Sequence, residues 1–134
     1  TPLYSSAASD VYKRQHMNEQ EAIMAFSQSE KVKTGIIWAS QALELLAGLP
    51  VPEKPGAEKT IRLKIDMMLQ EIGLARKVTG DPAWDEIEAI MDQAMVMIRS
   101  GVAPESVIHL TQALSRVTTI GHRSMSFLKE KGLL

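Results

Sequence analysis

The sequence predicts an all-α protein, an antiparallel four-helix bundle with up-down topology. Three observations predict this fold. Apolar residues recur at spacings of three and four over four long stretches, which is the period of an amphipathic helix. Short segments with proline or glycine separate these stretches, as expected for turns. No stretch alternates apolar and polar residues with the period of two that a half-buried strand requires.

The first helix is predicted over residues 18–49. Its main apolar stripe follows four-three spacing, and a second apolar row runs beside it through Trp38, Leu45 and Leu49. The apolar face is therefore wider than packing against one neighbouring helix requires. The sequence leaves open whether this helix is continuous through Ser27–Ser29.

The second and third helices are predicted over residues 57–79 and 82–99. Residues 50–56, which contain three prolines and one glycine, are predicted to form the loop before them. Asp81 and Pro82 provide a cap and a first-turn proline for the third helix. The turn is so short that the two helices must form a hairpin. Four further residues widen the apolar face of the second helix: Leu63, Met67, Leu74 and Val78.

The fourth helix is predicted over residues 104–131, with Pro104 at its first position and Gly132 just past its end. Ile120 and Phe127 form an apolar row beside its main seam. The predicted seam comprises Val107, Leu110, Leu114, Val117, Gly121, Met125 and Leu128. A glycine inside a helix costs roughly 1 kcal/mol relative to alanine, so Gly121 indicates close approach of another helix.

The N-terminal stretch is unlike the rest of the chain. Residues 5–15 read SSAASDVYKRQ. This stretch resembles, over its whole length, the translation of a transposase-type sequencing adapter. The resemblance implies that residues 1–15 are a non-native segment without ordered structure, acquired in shotgun or metagenomic sequencing. We expect one native domain over residues 16–134, with Met17 as a plausible start, and the sequence leaves open whether native residues precede His16. Residues 16–134 resemble no family that we recognise.

Composition restricts the classes of function. The formal net charge is −1 at pH 7, so the chain lacks the excess of positive charge that favours binding to nucleic acid or to an anionic membrane. There is no cysteine, and therefore neither a disulfide framework nor thiolate chemistry. No apolar stretch approaches the roughly 20 residues of a membrane span. We expect a cytoplasmic protein without a cofactor, and we lean against an enzyme.

The excess apolar width predicts an interaction surface. A small monomeric bundle would keep such rows polar, because large exposed apolar patches mark interaction sites. Met97 lies off the main stripe of the third helix and is a further candidate for contact. The predicted surface residues are Trp38, Leu45, Leu49, Met97, Ile120 and Phe127. We expect a homo-oligomer, most simply a dimer through helices one and four, or a complex with another helical protein. The leading function is thus a non-catalytic adaptor, regulatory subunit or assembly subunit.

A nucleic-acid-associated helical subunit is the first alternative. Arg116 and Arg123 lie seven residues apart on the predicted polar side of the fourth helix, where they could contact phosphates. The full polar face comprises Gln112, Arg116, Thr119, His122 and Arg123. Useful affinity for nucleic acid requires several neutralised phosphates, so two arginines in an acidic chain make this partner a weaker hypothesis.

A metal-dependent all-α hydrolase is the second alternative. Asp85, Glu88 and Asp92 line one stripe of the third helix. The spacing of Asp85 and Glu88 resembles half of the paired acidic motif with which all-α nucleotide pyrophosphohydrolases hold magnesium. The second half is missing, since the second helix offers only Asp66 and Glu71. Acidic residues near a helix N-terminus are also expected from the helix dipole alone.

Overall fold

Four α-helices and two short 3-10 helices form the fold over residues 17–134, the part of the chain that the computed structural model describes. The α-helices are α1 (Glu19–Ala47), α2 (Lys54–Thr79), α3 (Ala83–Arg99) and α4 (Ser106–Glu130). These described residues contain no strand. The predicted all-α fold with four helices is therefore confirmed. The prediction of a non-native segment at residues 1–15 lies outside the described residues.

The first helix is continuous. It begins with a capping box, in which the Glu21 amide donates to Asn18 Oδ1 at 2.7 Å and the Asn18 amide donates to Glu21 Oε1 at 3.3 Å. The helix passes through Ser27–Ser29 without a break, and Ser29 Oγ donates to the Phe26 carbonyl of the same helix at 2.9 Å. This resolves the question that the sequence left open.

The proline-rich segment between α1 and α2 is mostly helical, so the predicted loop over residues 50–56 was wrong. Val51–Glu53 forms a 3-10 helix, and α2 begins directly afterwards at Lys54. Pro52 and Pro55 lie in the first turns of these two helices. Proline is tolerated there because the first helical amides have no acceptor within the helix.

The start of α4 differs from the prediction, whereas its end does not. Ala103–Glu105 is a 3-10 helix, and the α-helix starts after it at Ser106. At the other end Gly132 has a φ of 72°, and the Leu133 amide donates to the Leu128 carbonyl at 2.8 Å. This hydrogen bond defines a Schellman motif, and the predicted position of Gly132 is confirmed.

The core lies between the four helices. Each of α1 and α3 packs against both α2 and α4. Trp84 of α3 is completely buried in this core, together with large aliphatic side chains from all four helices. Large side chains that are almost fully buried include Ile36, Ile65, Ile72, Ile87, Met91, Ile98 and Leu110.

The buried face of α4 is rotated relative to the predicted seam. Ile120, which we placed on an outer row, is only 2% exposed and belongs to the core. Val107, which we placed on the seam, is 38% exposed. The reason is that α4 packs against both α1 and α3, so its buried arc covers two neighbours and also includes Arg123. An apolar pattern alone could not place a buried arginine on that arc.

Candidate interaction surface

An apolar groove runs along the outer side of α1 and α2. Trp38 of α1 and Met67 of α2 line it, and they are 59% and 57% exposed. The volume of the groove is about 640 Å³. A large apolar groove open to solvent is the kind of feature that marks an interaction site rather than a self-contained core.

The floor of the groove is formed where a glycine of α1 meets a methionine of α2. A Cβ atom at Gly35 would lie 2.7 Å from Met68 Sδ and 2.9 Å from Met68 Cγ. Only a residue without a side chain lets Met68 lie against the α1 backbone in this way. Met68 is consequently buried, whereas its neighbour Met67 projects outward at the rim.

One end of the groove is polar. Gln28 Nε2 donates to the carbonyl oxygen of Glu71 at 3.0 Å and to its Oε2 atom at 3.1 Å. Lys31 Nζ lies 3.4 Å from the same Oε2 atom. The hydrogen bond from Gln28 and the charge of Lys31 lower the pKa of Glu71, against the opposing effect of burial. Glu71 is therefore a carboxylate at neutral pH.

A cation lies on the rim beside Trp38. Lys64 Nζ is 5.8 Å from the centroid of the Trp38 ring, which is a cation–π contact. Within residues 17–134 no carboxylate lies within ion-pair distance of Lys64. The groove thus has an ionised Glu71 towards one end and an uncompensated ammonium group towards the other.

Exposed apolar side chains extend from the groove along both helices. Leu45 lies two turns after Trp38 on the same side of α1 and is 66% exposed. On α2 the exposed apolar residues follow one another at spacings of four, seven and four, which places them on one side of the helix. We call this surface the α1–α2 face, and it comprises Trp38, Leu45, Leu63, Met67, Leu74 and Val78. The sequence placed the α2 residues on a wide apolar face but did not assign them to an interaction surface.

The other predicted surface residues do not join this face. Phe127 is half-buried, with Lys131 Nζ 5.5 Å from its ring centroid. The burial of Ile120 removes the apolar row on which the predicted role of helix four depended. Four predicted surface residues are buried or partly buried: Leu49, Met97, Ile120 and Phe127.

The predicted anion-binding face is already engaged in ion pairs. Arg123 Nη2 lies 2.5 Å from Asp81 Oδ2, and both side chains are buried. Our placement of Arg123 on a solvated polar side was therefore wrong, because the carboxylate from the α2–α3 turn satisfies its charge inside the bundle. Arg116 pairs with Glu86 of α3. The remaining members of the face are exposed: Gln112, Thr119 and His122.

The three predicted acidic ligands on α3 do not form a metal site. Asp85 Oδ2 accepts a hydrogen bond from Arg76 Nε at 2.9 Å. Glu88 and Asp92 are exposed to solvent. Within the described residues, no group of three or more histidine, aspartate or glutamate side chains lies close enough to hold a metal ion. The acidic stripe is thus a solvated helix face with one inter-helix ion pair.

Comparison with known proteins found no match among family models, curated proteins or solved structures. Over residues 17–134, no helix has the length and apolar character needed to cross a membrane.

Proposed function

We propose that this protein is a non-catalytic helical interaction protein that binds a partner helix along the α1–α2 face. One observation carries the proposal: six large apolar side chains of α1 and α2 are 37–66% exposed, and two of them, Trp38 and Met67, line the groove between these helices. An amphipathic helix laid into an apolar groove is a common mode of recognition between proteins. A role as an adaptor, regulatory subunit or assembly subunit fits this surface.

The scaffold of this function is an antiparallel up-down bundle in one domain. Two contacts support the antiparallel arrangement of α1 and α2. Gln28 near the start of α1 meets Glu71 near the end of α2, whereas Trp38 further along α1 meets Lys64 further back on α2. Glu86 pairs with Arg116 and the earlier Asp81 with the later Arg123, which supports the same arrangement for α3 and α4.

The available area is sufficient for association. If a fully exposed large side chain offers roughly 200 Å², the α1–α2 face presents about 600 Å² of side-chain surface. At about 25 cal/mol per Å², covering it contributes roughly 15 kcal/mol before the costs of association, which are roughly 4–15 kcal/mol. Trp38 is the expected anchor, because tryptophan is enriched among residues that dominate binding energy.

A displayed library of amphipathic helical peptides tests the proposal. The full chain serves as bait at concentrations where light scattering shows the monomer. We expect helical peptides with apolar residues at spacings of three and four to be enriched, and Trp38→Glu to abolish the enrichment. Ile108→Glu is the matched control, because Ile108 of α4 is 66% exposed but lies outside the α1–α2 face. Equal enrichment by wild type and Trp38→Glu, or none by either, would overturn the proposed function.

A further inference from the structure

The outer row of α2 has the spacing of a coiled-coil seam. Leu63, Met67, Gln70 and Leu74 follow one another at spacings of four, three and four, and all four are exposed. A seam of this kind packs against another helix with a matching seam. From this row we infer that the partner helix is α2 of a second copy of this chain, which makes the α1–α2 face a homodimer interface. The inference rests on the proposed function and names its partner.

A two-fold axis through the middle of the row pairs it with itself. With the axis between Met67 and Gln70, Leu63 of each copy faces Leu74 of the other, and each Met67 faces a Gln70. Such an interface is isologous, so every contact occurs twice. Met67 of this row lines the groove together with Trp38, so the second α2 helix would also cover the groove beside Trp38.

Charge favours this antiparallel pairing over a parallel one. Lys64 and Glu71 flank the seam on the groove side. In the antiparallel pair, Lys64 of each copy lies across from Glu71 of the other. In a parallel two-fold pair the groove sides of the two copies lie on opposite flanks of the seam, so Lys64 and Glu71 of one copy do not meet those of the other. Within one copy the two residues are seven positions apart, about 10 Å along the helix, so they do not neutralise each other directly.

The area fits a reversible dimer. Two α1–α2 faces would bury about 1,200 Å² of side-chain surface, at the lower end of the roughly 1,200–2,000 Å² of specific interfaces. Interfaces of roughly 1,600 Å² have affinities from micromolar to picomolar, and weak, transient complexes lie at the small end of the size range. We expect a monomer–dimer equilibrium with a Kd of the order of micromolar.

Complementary charge reversals test the register. Lys64→Glu sets a new carboxylate against Glu71 of the second copy, and Glu71→Lys sets a new ammonium group against Lys64 of the second copy. We expect each full-chain variant alone to dimerise about tenfold more weakly than wild type by light scattering. Mixing the two variants should restore dimerisation to near the wild-type Kd, because the mixed dimer contains one interface pair of two new opposite charges and one wild-type pair. Circular dichroism checks that each variant is folded.

Lys129→Glu is the matched control, since it makes the same charge change at an exposed position of α4 away from the face. It should dimerise as wild type does. A monomer at all concentrations would overturn the homodimer, and the peptide selection would then decide the proposed function separately. The antiparallel register would be overturned if both variants dimerised as strongly as wild type, or if mixing them did not restore dimerisation.

Discussion

The buried ion pair between Asp81 and Arg123 is expected to make the stability of the bundle sensitive to the loss of either charge. It joins the α2–α3 turn to α4 across 42 residues of sequence, with 2.5 Å between its charged atoms. Asp81 Oδ1 also accepts a hydrogen bond from the amide of Ala83, the first residue of α3, at 2.9 Å. Asp81→Asn is the informative substitution, because the side-chain amide keeps an oxygen for this hydrogen bond while the negative charge is removed.

The expected magnitude follows from the burial of both groups. Removing one partner of a buried ion pair costs about 3–5 kcal/mol, because it leaves a charge without compensation in a poorly hydrated site. We expect Asp81→Asn to lower the free energy of unfolding by about 3 kcal/mol. In a double-mutant cycle, Asp81→Asn with Arg123→Met should be about 2 kcal/mol more stable than the sum of the single changes predicts.

Urea unfolding followed by circular dichroism measures these differences. Glu86→Gln is the matched control, because the Glu86–Arg116 pair also contacts α4 but is exposed, with side-chain exposures of 57% and 49%. An exposed pair contributes less than about 1 kcal/mol. The reasoning is refuted if Asp81→Asn costs no more than Glu86→Gln, or if the cycle is additive.

Three further predictions test other parts of the fold. Ile120→Asp should unfold the bundle, with a loss above about 4 kcal/mol, because it places a carboxylate in the core; a stable, folded variant by thermal melting would contradict the assigned burial. In Gly121→Ala the new Cβ would lie 2.8 Å from Ser29 Oγ, so adding Ser29→Ala should raise the melting temperature of that variant, and no gain would contradict the close approach. The pKa of Glu71 is lowered in the fold, so its ionised form stabilises the fold at pH values above its ordinary pKa of 4.5, and this contribution is lost as the pH falls further. Glu71→Gln should therefore have a lower free energy of unfolding than wild type at neutral pH, and the difference should become smaller in acid. A difference in urea unfolding that does not depend on pH would contradict this.

The helices could be predicted because the chain repeats its apolar residues with the period of a helix. The boundaries were less predictable where proline was involved. Pro52 and Pro55 indicate a loop by composition, yet each can begin a helix, and only the surrounding backbone decides between the two.

The α4 helix shows what periodicity cannot provide. Its pattern is compatible with two neighbouring seams, and the choice depends on which helices pack on either side. Arg123 was placed on the polar side of the helix from its position relative to the apolar seam. Its partner Asp81 is 42 residues away in the sequence, so no local pattern indicates the ion pair. Gly121 did indicate close approach, and its neighbour is the Ser29 side chain of α1.

The sequence predicted only the α1 part of the candidate surface. Trp38 and Leu45 were identified because they widen an apolar face beyond what one neighbour needs. Leu63 and Met67 show the same excess on α2, but the sequence does not say that this row lies beside Trp38. The approach of Gly35 to Met68 sets the two helices side by side and so creates the groove.

Iodide quenching of tryptophan emission tests the central claim most directly. Trp84 is fully buried, so the quenched fraction of the emission reports on Trp38. Binding along the α1–α2 face predicts that quenching falls as the concentration of the full chain rises through the dimerisation range, or on addition of a selected helical peptide. Quenching that stays constant under both conditions would contradict the claim that the α1–α2 face is the interaction surface.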